Sequence, residues 1–164
     1  MRIEVRYEKS LLGTAGTLIE NEFFFENSTI ALIHSDNMTS FNLNDLLEAH
    51  KNRPVSCLLT MLTFTTDSPQ NCGIVITDKK NILKGFFEKV DNPPSNIANG
   101  AIYIFDNDLL RILVKKYSNF TDFSNQVIPI LIDKIFVHHT KETLIDIGTP
   151  NNLRKARELF GGVN

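Results

Sequence analysis

The chain has 164 residues, of which 42% are hydrophobic and 22% are charged, and its formal net charge is −2 at pH 7. This length suits one domain with a substantial core and is short for two, so we expect a single domain over residues 1–164. The weak negative charge argues against nucleic acid as a partner. The chain has no apolar run long enough to span a membrane and no secretory signal, so we expect a cytoplasmic protein without a membrane partner.

The first part of the chain shows extended patterns on either side of a short helix. Polar and apolar residues alternate over residues 2–7, which predicts a strand with one covered face. Two glycines then interrupt the pattern at residues 13–16 and lead into the helix. The continuous apolar run at residues 29–33 predicts a strand buried on both faces, as in a parallel sheet.

The middle of the chain continues with a helix and a hairpin. Residues 43–50 have the spacing of an amphipathic helix, with Asn42 placed to cap its first turn. Residues 55–64 predict the next strand. Residues 72–77 and 82–87 predict two strands joined by a four-residue connection that suits a hairpin.

The last part again alternates strands with helices, after a proline-containing loop at residues 91–96. This alternation is typical of α/β folds. We therefore expect an α/β protein with a Rossmann-like, mixed and mostly parallel sheet flanked by helices. The predicted strands are at residues 100–105, 135–138 and 144–147, and the predicted helices follow Asp106, lie near Pro129, and run from the cap Thr149 to the glycines at 161 and 162.

The cysteines and histidines carry no metal-site pattern. Cys57 and Cys72 are too few for a disulfide scaffold or a zinc site, so we expect reduced packing residues. The residues His34, His138 and His139 lack metal-ligand spacing with either cysteine. We expect these histidines to be structural or exposed.

Two aspartates follow predicted strands that are far apart in sequence. Asp36 ends the most apolar strand, where open α/β sheets bind ligands, and Asp146 ends a later one. Carboxylates from two strand ends can share a Mg²⁺ ion, which takes one or two carboxylates together with substrate phosphates. Each aspartate taken alone is more simply explained as a solvated turn residue or a helix cap.

Five short stretches, in their order and spacing, resemble the sugar-1-phosphate nucleotidyltransferases, in particular the mannose-1-phosphate and heptose-1-phosphate guanylyltransferase branch. The resemblance runs from about Arg2 to about Phe160. In that family a strand, a glycine-rich loop ending in Thr-Arg and a Pro-Lys pair come first, and nothing before Gly13 matches them. We therefore expect the C-terminal two-thirds or so of such a domain, a nucleotide-diphospho-sugar transferase fold without its first strands. The five stretches are Gly13-Thr14-Ala15-Gly16, His34-Ser35-Asp36-Asn37, Phe87-Glu88-Lys89, Ala98-Asn99-Gly100-Ala101-Ile102-Tyr103 and Asp146-Ile147-Gly148-Thr149-Pro150.

The resemblance implies a nucleotide site in the N-terminal part of the chain. The loop of Gly13, Thr14, Ala15 and Gly16 would pack on the base, with backbone N–H groups that nothing blocks. Glu8, five positions earlier, would read the edge of the base, and a carboxylate acceptor matches guanine, so GTP is favoured. The alternatives are a plain helix entry for the loop and an exposed strand-end charge for Glu8.

The resemblance also implies a metal and a sugar-phosphate site. Asp36 and Asp146 would bind the catalytic Mg²⁺, while Glu88 would hold sugar hydroxyls and Lys89 would neutralise the sugar phosphate. The pair Asn99-Gly100 would lie against the sugar ring. The alternatives are a solvated ion pair for Glu88-Lys89 and a turn for Asn99-Gly100. The family more often has proline where this chain has valine at position 90, which affects the expected loop geometry.

The implied reaction joins a sugar 1-phosphate to a nucleoside triphosphate, gives a nucleotide sugar and pyrophosphate, and needs Mg²⁺. Since the cations of the glycine-rich loop are absent, we expect little or no turnover from this chain alone. The alternative is a catalytically silent α/β binding or assembly module of the same origin. An unpaired sheet edge would then favour homo-oligomers.

Overall fold

The computed structural model describes residues 3–161 and contains eight strands and five α-helices in that range. Short 3-10 turns lie at Glu22–Phe25 and Pro69–Asn71, and a π-helical turn at Phe123–Val127 leads into α4. The strands are β1 Thr29–Ile33, β2 Asn37–Thr39, β3 Leu59–Thr65, β4 Gly73–Thr77, β5 Leu83–Glu88, β6 Ile97–Asp106, β7 Ile135–His139 and β8 Leu144–Asp146. The helices are α1 Gly13–Glu20, α2 Leu43–Lys51, α3 Asn107–Lys116, α4 Ile128–Ile130 and α5 Pro150–Phe160.

The α/β class and the helix-flanked mixed sheet are confirmed, but the prediction of a mostly parallel sheet is wrong. The main sheet has the order β5-β4-β6-β3-β7, with β1 also paired to β6. Within the described residues only the β3–β7 pair is parallel, because the long strand β6 runs antiparallel to β1, β3 and β4. The strands β2 and β8 form a separate antiparallel ladder.

Strand β1 forms where the sequence predicts it, but the expectation that both of its faces are buried is wrong. Ile30 is buried, whereas Thr29, Ala31 and Ile33 are exposed. The reason is that β1 lies at an edge of the sheet and pairs only with β6 among the residues that the structure describes. Apolar residues in an edge strand find fewer neighbours than those in a central one.

The strand predicted at residues 2–7 does not form over its described part, residues 3–7. Ile3, Val5 and Tyr7 alternate as expected, but all three are largely exposed. No strand of the described chain pairs with them, and an isolated extended segment gains little stability. The remaining residue of that prediction, Arg2, lies outside the described range.

Two of the three N-caps that the sequence predicts form as expected. The side chain of Asn42 caps α2 by accepting from the N–H two residues on, and Thr149 caps α5 by accepting from the N–H of Asn152. Asp106 stands at the N-cap of α3 but its carboxylate makes no capping hydrogen bond. It accepts from Arg53 instead.

The core has two sides because β3 and β6 send alternate side chains to opposite faces of the sheet. One side packs under α1, α3 and the π-helical turn, and the other under α2. Cys57 is buried and Cys72 half-buried, both with free thiols, as expected of packing residues. Within residues 3–161 no helix has the length and apolar content needed to span a membrane. The first side includes Tyr103, Phe105 and Phe123, and the second includes Leu46, Leu62, Ile102 and Ile104.

Candidate functional site

One cleft of about 200 Å³ collects six of the side chains and backbone positions that the sequence singles out. It lies at the end of the main sheet, next to the β2–β8 ladder. Residues from six strands and their connecting turns form its walls, so the grouping depends on the tertiary fold. The six are Asp36, Glu88, Lys89, Asn99, Gly100 and Asp146.

The two aspartates lie at the same end of the β2–β8 ladder, Asp36 directly before β2 and Asp146 as the last residue of β8. Asn37 faces Asp146 across that ladder, and the N–H of Ile147 donates to the carbonyl of Asp36 at 2.8 Å. The carboxylate of Asp146 accepts from the N–H of Gly148 at 2.7 Å, which fixes its direction. Both aspartates are exposed and line the same cleft. Residues 110 positions apart in sequence are therefore brought together by one short ladder.

A bulge in β6 holds the turn that carries Asp36. Between the pairs Met61↔Tyr103 and Thr63↔Asn99, three residues of β6 stand opposite one residue of β3. The bulge includes Ala101 in the left-handed region, with a φ of 51°. Such an irregularity redirects backbone groups out of the ladder.

The backbone carbonyls of this bulge bind the turn after β1. The side-chain amide of Asn37 donates to the carbonyl of Gly100 at 3.0 Å. The N–H of His34 donates to the carbonyl of Ala101 at 3.4 Å. The position of Asp36 is thus set by β6 as well as by β8.

Asn99 is held by two hydrogen bonds at the cleft wall. Its Oδ1 accepts from the N–H of Ala101 at 3.0 Å, and its Nδ2 donates to the hydroxyl of Tyr103 at 2.6 Å. Burial raises the pKa of Tyr103 to about 12, so the phenol stays protonated at neutral pH. The amide of Asn99 therefore has a fixed orientation.

Glu88 and Lys89 both line the cleft, although adjacent residues of a regular strand point to opposite faces. The difference arises because Lys89 follows the end of β5 with a φ of 49°, in the left-handed region. Its Nζ lies 3.9 Å from Glu88 Oε1. Burial raises the pKa of the half-buried Glu88 carboxyl, and the nearby Lys89 cation partly opposes that change.

Gly73 is a site residue that the sequence analysis missed. It pairs with Glu88 across the β4–β5 ladder and lines the cleft. A Cβ built on Gly73 would lie 2.6 Å from Glu88 Oε2 and 2.7 Å from Phe86 Cζ. The absence of a side chain thus lets the carboxylate fold over the strand. The register of the predicted hairpin is the signal that could have identified this glycine.

His34, expected to be structural or exposed, also lines the cleft. Its Nε2 is buried and has no hydrogen-bond partner within residues 3–161. Cys72, expected only to pack, lines the same cleft beside Gly73. His34 stands in one of the five stretches that carry the resemblance, whereas no sequence signal separates Cys72 from an ordinary packing position.

Glu8 and the glycine loop are not among the residues that line this cleft. The carboxylate of Glu8 accepts from the N–H of Leu12 and from the hydroxyl of Thr17, so it holds the start of α1. The cleft wall at Ser124 belongs to the segment of residues 121–124, which contacts the loop.

The loop of Gly13, Thr14, Ala15 and Gly16 packs tightly on that segment. The N–H of Ala15 donates to the carbonyl of Thr121 at 3.0 Å, and the hydroxyl of Thr14 accepts from the N–H of Phe123 at 2.9 Å. Gly13 has a φ of 74°, and a Cβ there would collide with the Thr121 carbonyl. The loop glycines thus permit close backbone packing within the chain.

The donor set of the cleft suits a hard cation. In residues 3–161 no group of three or more His, Cys, Asp and Glu side chains is placed to hold a metal ion. The candidate pair consists of two exposed carboxylates, Asp36 and Asp146. Mg²⁺ keeps several waters and commonly takes one or two carboxylates plus substrate phosphates, so two oxygen ligands fit that ion better than Zn²⁺.

Sequence comparisons match this chain to nucleotidyltransferases. The family profile described as nucleotidyl transferase matches residues 1–160. A glucose-1-phosphate adenylyltransferase of Mycoplasma mobile is 29% identical over 154 residues, covering 88% of this chain and 40% of that protein. A putative mannose-1-phosphate guanyltransferase of Sulfolobus acidocaldarius is 28% identical over 149 residues, covering 88% and 39%. The chain spans about two fifths of the length of these curated relatives.

Solved structures share the fold. A putative glucose-1-phosphate thymidylyltransferase from Bacillus anthracis, in complex with a sucrose, superposes with a TM-score of 0.82 at 21% identity. The match covers 97% of this chain and 65% of that one. HddC from Yersinia pseudotuberculosis superposes with a TM-score of 0.76 at 21% identity, covering 93% and 64%.

Proposed function

This chain belongs to the nucleotidyl transferase family, and from that premise we propose that its protein joins a sugar 1-phosphate to a nucleoside triphosphate. The products would be a nucleotide sugar and pyrophosphate. The observation that carries the proposal is the convergence of Asp36 and Asp146 with Glu88, Lys89 and Asn99 on one cleft. An acidic pair that can hold an ion, a cation for a phosphate and two polar groups for sugar hydroxyls are side chains suited to this reaction.

The reaction needs no protein nucleophile. An oxygen of the sugar phosphate would attack the α-phosphorus in line, and pyrophosphate would leave. Such transfers are accelerated mainly by positioning and by neutralisation of charge. Mg²⁺, when bound by Asp36 and Asp146, would supply that neutralisation at the phosphate oxygens. Lys89, whose side chain is 67% exposed, would bring its cation to the sugar phosphate.

Glu88 and Asn99 would recognise the sugar itself. A carboxylate accepts hydrogen bonds from sugar hydroxyls, and the confined position of Glu88 over Gly73 directs its oxygens. The amide of Asn99 is held by Ala101 and Tyr103, so it would meet the sugar in one orientation. Both residues would therefore bind and orient the substrate without taking part in bond making.

GTP is our proposed nucleotide, on the basis of Glu8. A carboxylate has about four acceptor positions, so Glu8 could accept from a guanine edge while keeping its bonds to Leu12 and Thr17. The curated relatives include both an adenylyltransferase and a guanyltransferase. Comparison of GTP, ATP and dTTP affinities measures this preference directly, and equal affinities would remove it.

We propose that this 164-residue chain alone turns over slowly or not at all. Lys89 is the cation among the residues lining the cleft, and a triphosphate in transfer normally meets several positive groups. Multiple-turnover release of pyrophosphate from GTP and a sugar 1-phosphate by the purified chain would contradict this part of the proposal.

The sugar-phosphate and metal roles are tested by calorimetric titration of the chain with glucose 1-phosphate or mannose 1-phosphate, with and without Mg²⁺. We expect binding that strengthens with Mg²⁺ and weakens at least about tenfold, 1.4 kcal/mol, in Asp36→Asn and Asp146→Asn. The control is Asp91→Asn, an exposed aspartate outside the cleft. Binding that ignores Mg²⁺, or that is unchanged by both cleft substitutions, would refute the assignment.

A catalytically silent assembly module is the second candidate, supported by the exposed residues of the edge strand β1. Unpaired strand edges attract other strands. The same titration separates the two candidates, since a silent module that binds no sugar 1-phosphate would give no heat with either sugar.

A further inference from the structure

A second, larger cavity adjoins the cleft. Its volume is about 620 Å³, and it lies between the connection that follows β3 and the first turns of α5. It shares one wall with the cleft, and Asp146 is part of that wall. The shared residues are Phe64, Asn71, Cys72, Leu144 and Asp146.

The two spaces differ in size. The cleft, at about 200 Å³, is smaller than the roughly 300–1,000 Å³ usual for small-molecule sites, whereas the neighbouring cavity falls within that range. A ligand anchored at Asp146 and Lys89 can therefore extend past the shared wall. The groups that such an extension would meet are those of the larger cavity.

The lining of the larger cavity is rich in hydroxyl and amide side chains. In residues 3–161, Asp67 and four further polar side chains of its lining make no hydrogen bond or ion pair, whereas those of Thr65, Thr66, Thr149 and Asn152 are occupied by bonds within the chain. Hydroxyls and amides both donate and accept, as sugar hydroxyls do. The four are Ser68, Asn71, Asn151 and Lys155.

The charge of the cavity argues against a second phosphate there. Lys155 and Asp67 give its lining one positive and one negative charge, and the charge of Asp146 is neutralised by the ion of the proposed function. Because these charges nearly balance, an anion in the cavity would gain little net electrostatic attraction. A neutral polar group would therefore be at little disadvantage there. Phe64 and Leu144 add apolar surface of the kind that packs on the face of a sugar ring or chain.

We propose that this cavity is a subsite for a neutral, hydroxylated substituent of the sugar, so that the preferred substrate is a sugar 1-phosphate larger than an unsubstituted hexose. The proposal rests on the proposed function, because it takes the 1-phosphate to lie at Lys89. Ser68 and Asn151 contact the substituent, and Asp146 and Asn71 border both halves of the ligand.

The test is calorimetric titration of the whole chain in Mg²⁺ with glucose 1-phosphate and with three extended probes. The probes are N-acetylglucosamine 1-phosphate, a heptose 1-phosphate and maltose 1-phosphate. We expect at least one extended probe to bind about tenfold or more tightly than glucose 1-phosphate. The backbone amide resonance of Asn151 should shift with that probe and not with glucose 1-phosphate.

Substitutions in the part of the larger cavity that the cleft does not share test the subsite separately from the cleft. Ser68→Val and Asn151→Leu remove polar groups from the larger cavity and leave every residue of the cleft in place. We expect each to abolish the advantage of the extended probe while glucose 1-phosphate binds as before. Asn119→Leu is the matched control, an exposed asparagine outside both cavities.

The possible outcomes distinguish the two proposals. If glucose 1-phosphate binds as tightly as every extended probe, or if Ser68→Val and Asn151→Leu leave the advantage intact, the subsite is refuted and the proposed function stands. If no sugar 1-phosphate binds at all, the proposed function fails and the subsite fails with it.

Discussion

The carboxylate of Glu88 lies in the space that a side chain at Gly73 would need. The two residues pair across the β4–β5 ladder, and a Cβ on Gly73 would come within 2.6 Å of Glu88 Oε2. The ring of Phe86 would be equally close. A glycine in one strand therefore sets the position of a carboxylate in the next, and with it one wall of the candidate sugar site.

Gly73→Ala should displace that carboxylate. We expect the free energy of unfolding to fall by about 1–3 kcal/mol, as overpacking usually costs, and the affinity for sugar 1-phosphate to fall roughly tenfold. Urea unfolding and calorimetry measure the two effects. Gly16→Ala is the control, a tightly packed glycine in α1 outside the cleft. Unchanged sugar-phosphate affinity in Gly73→Ala would show that Glu88 does not depend on this space.

Tyr103→Phe should free the amide of Asn99. The phenol is fully buried and accepts from Asn99 Nδ2, so its loss leaves a polar group without a partner, at a cost of about 1–3 kcal/mol. We expect weaker sugar-phosphate binding as well, because Asn99 can then rotate. Tyr117→Phe, at a half-buried tyrosine outside the cleft, is the control. Equal stability of Tyr103→Phe and wild type would contradict this reading.

Alkaline unfolding gives an independent test of the same phenol. Its pKa is raised from 10 to about 12 by burial, so its ionisation is opposed in the folded state. The stability that it contributes is full below pH 10 and is lost as the pH rises towards 12. Unfolding curves in that range should show a steeper loss of stability for wild type than for Tyr103→Phe.

A buried histidine joins four elements on the side of the sheet that packs against α2. His50 is 2% exposed, its Nδ1 lies 2.8 Å from the hydroxyl of Thr60, and its Nε2 lies 3.5 Å from Asp106 Oδ2. Arg53 donates to the same carboxylate oxygen at 2.6 Å, and Thr29 donates to the other at 2.9 Å. This network ties α2 to β1, β3 and the end of β6.

Acidification should weaken the protein through His50. Burial and the Arg53 cation lower its pKa, against the opposing effect of Asp106, so the unfolded chain takes up the proton first. The stability from His50 is therefore full above pH 6.5 and is lost as the pH falls below it. Burial also lowers the pKa values of His138 and His139, with the same sign. The free energy of unfolding in urea should differ less between pH 7.5 and pH 5.5 for His50→Gln than for wild type. An equal difference would exclude His50 as a source of the acid sensitivity.

The edge of β1 should support self-association. Ile33 is 46% exposed on this edge strand, so a second copy could cover it. We expect the apparent mass by light scattering to rise with concentration for wild type and to rise less for Ile33→Lys. Ile112→Lys, at a 36% exposed isoleucine of α3, is the control. A wild-type chain that stays monomeric across the series would rule out this interface.

Local features of the fold could be predicted from the sequence. The β4–β5 hairpin and the caps Asn42 and Thr149 form as expected, because residues near in sequence determine them. The strand over the described residues 3–7 and the burial of both faces of β1 were predicted wrongly. Both depend on partners distant in sequence, and an alternating or apolar run does not specify which strand will lie beside it.

The candidate site could likewise be predicted from the sequence only in part. Asp36, Glu88, Lys89 and Asp146 each lie at a strand end or turn that the sequence reveals, whereas Asn99 and Gly100 reach the cleft from within β6. The contribution of Gly73 could not be predicted without the strand register. The bulge at Gly100 and Ala101 was equally hidden, since it arises from the mismatch between β6 and β3.

Asp36 and Asp146 are fixed by the β2–β8 ladder and by the bulge of β6, whereas no hydrogen bond in the described chain joins either residue to the connection at residues 66–71. The proposed metal pair and the 66–71 part of the proposed subsite are thus held by separate parts of the molecule. Replacing residues 66–71 with a different connection should change which sugars are accepted while Asp36 and Asp146 keep their positions. This connection is therefore the first target for redesign.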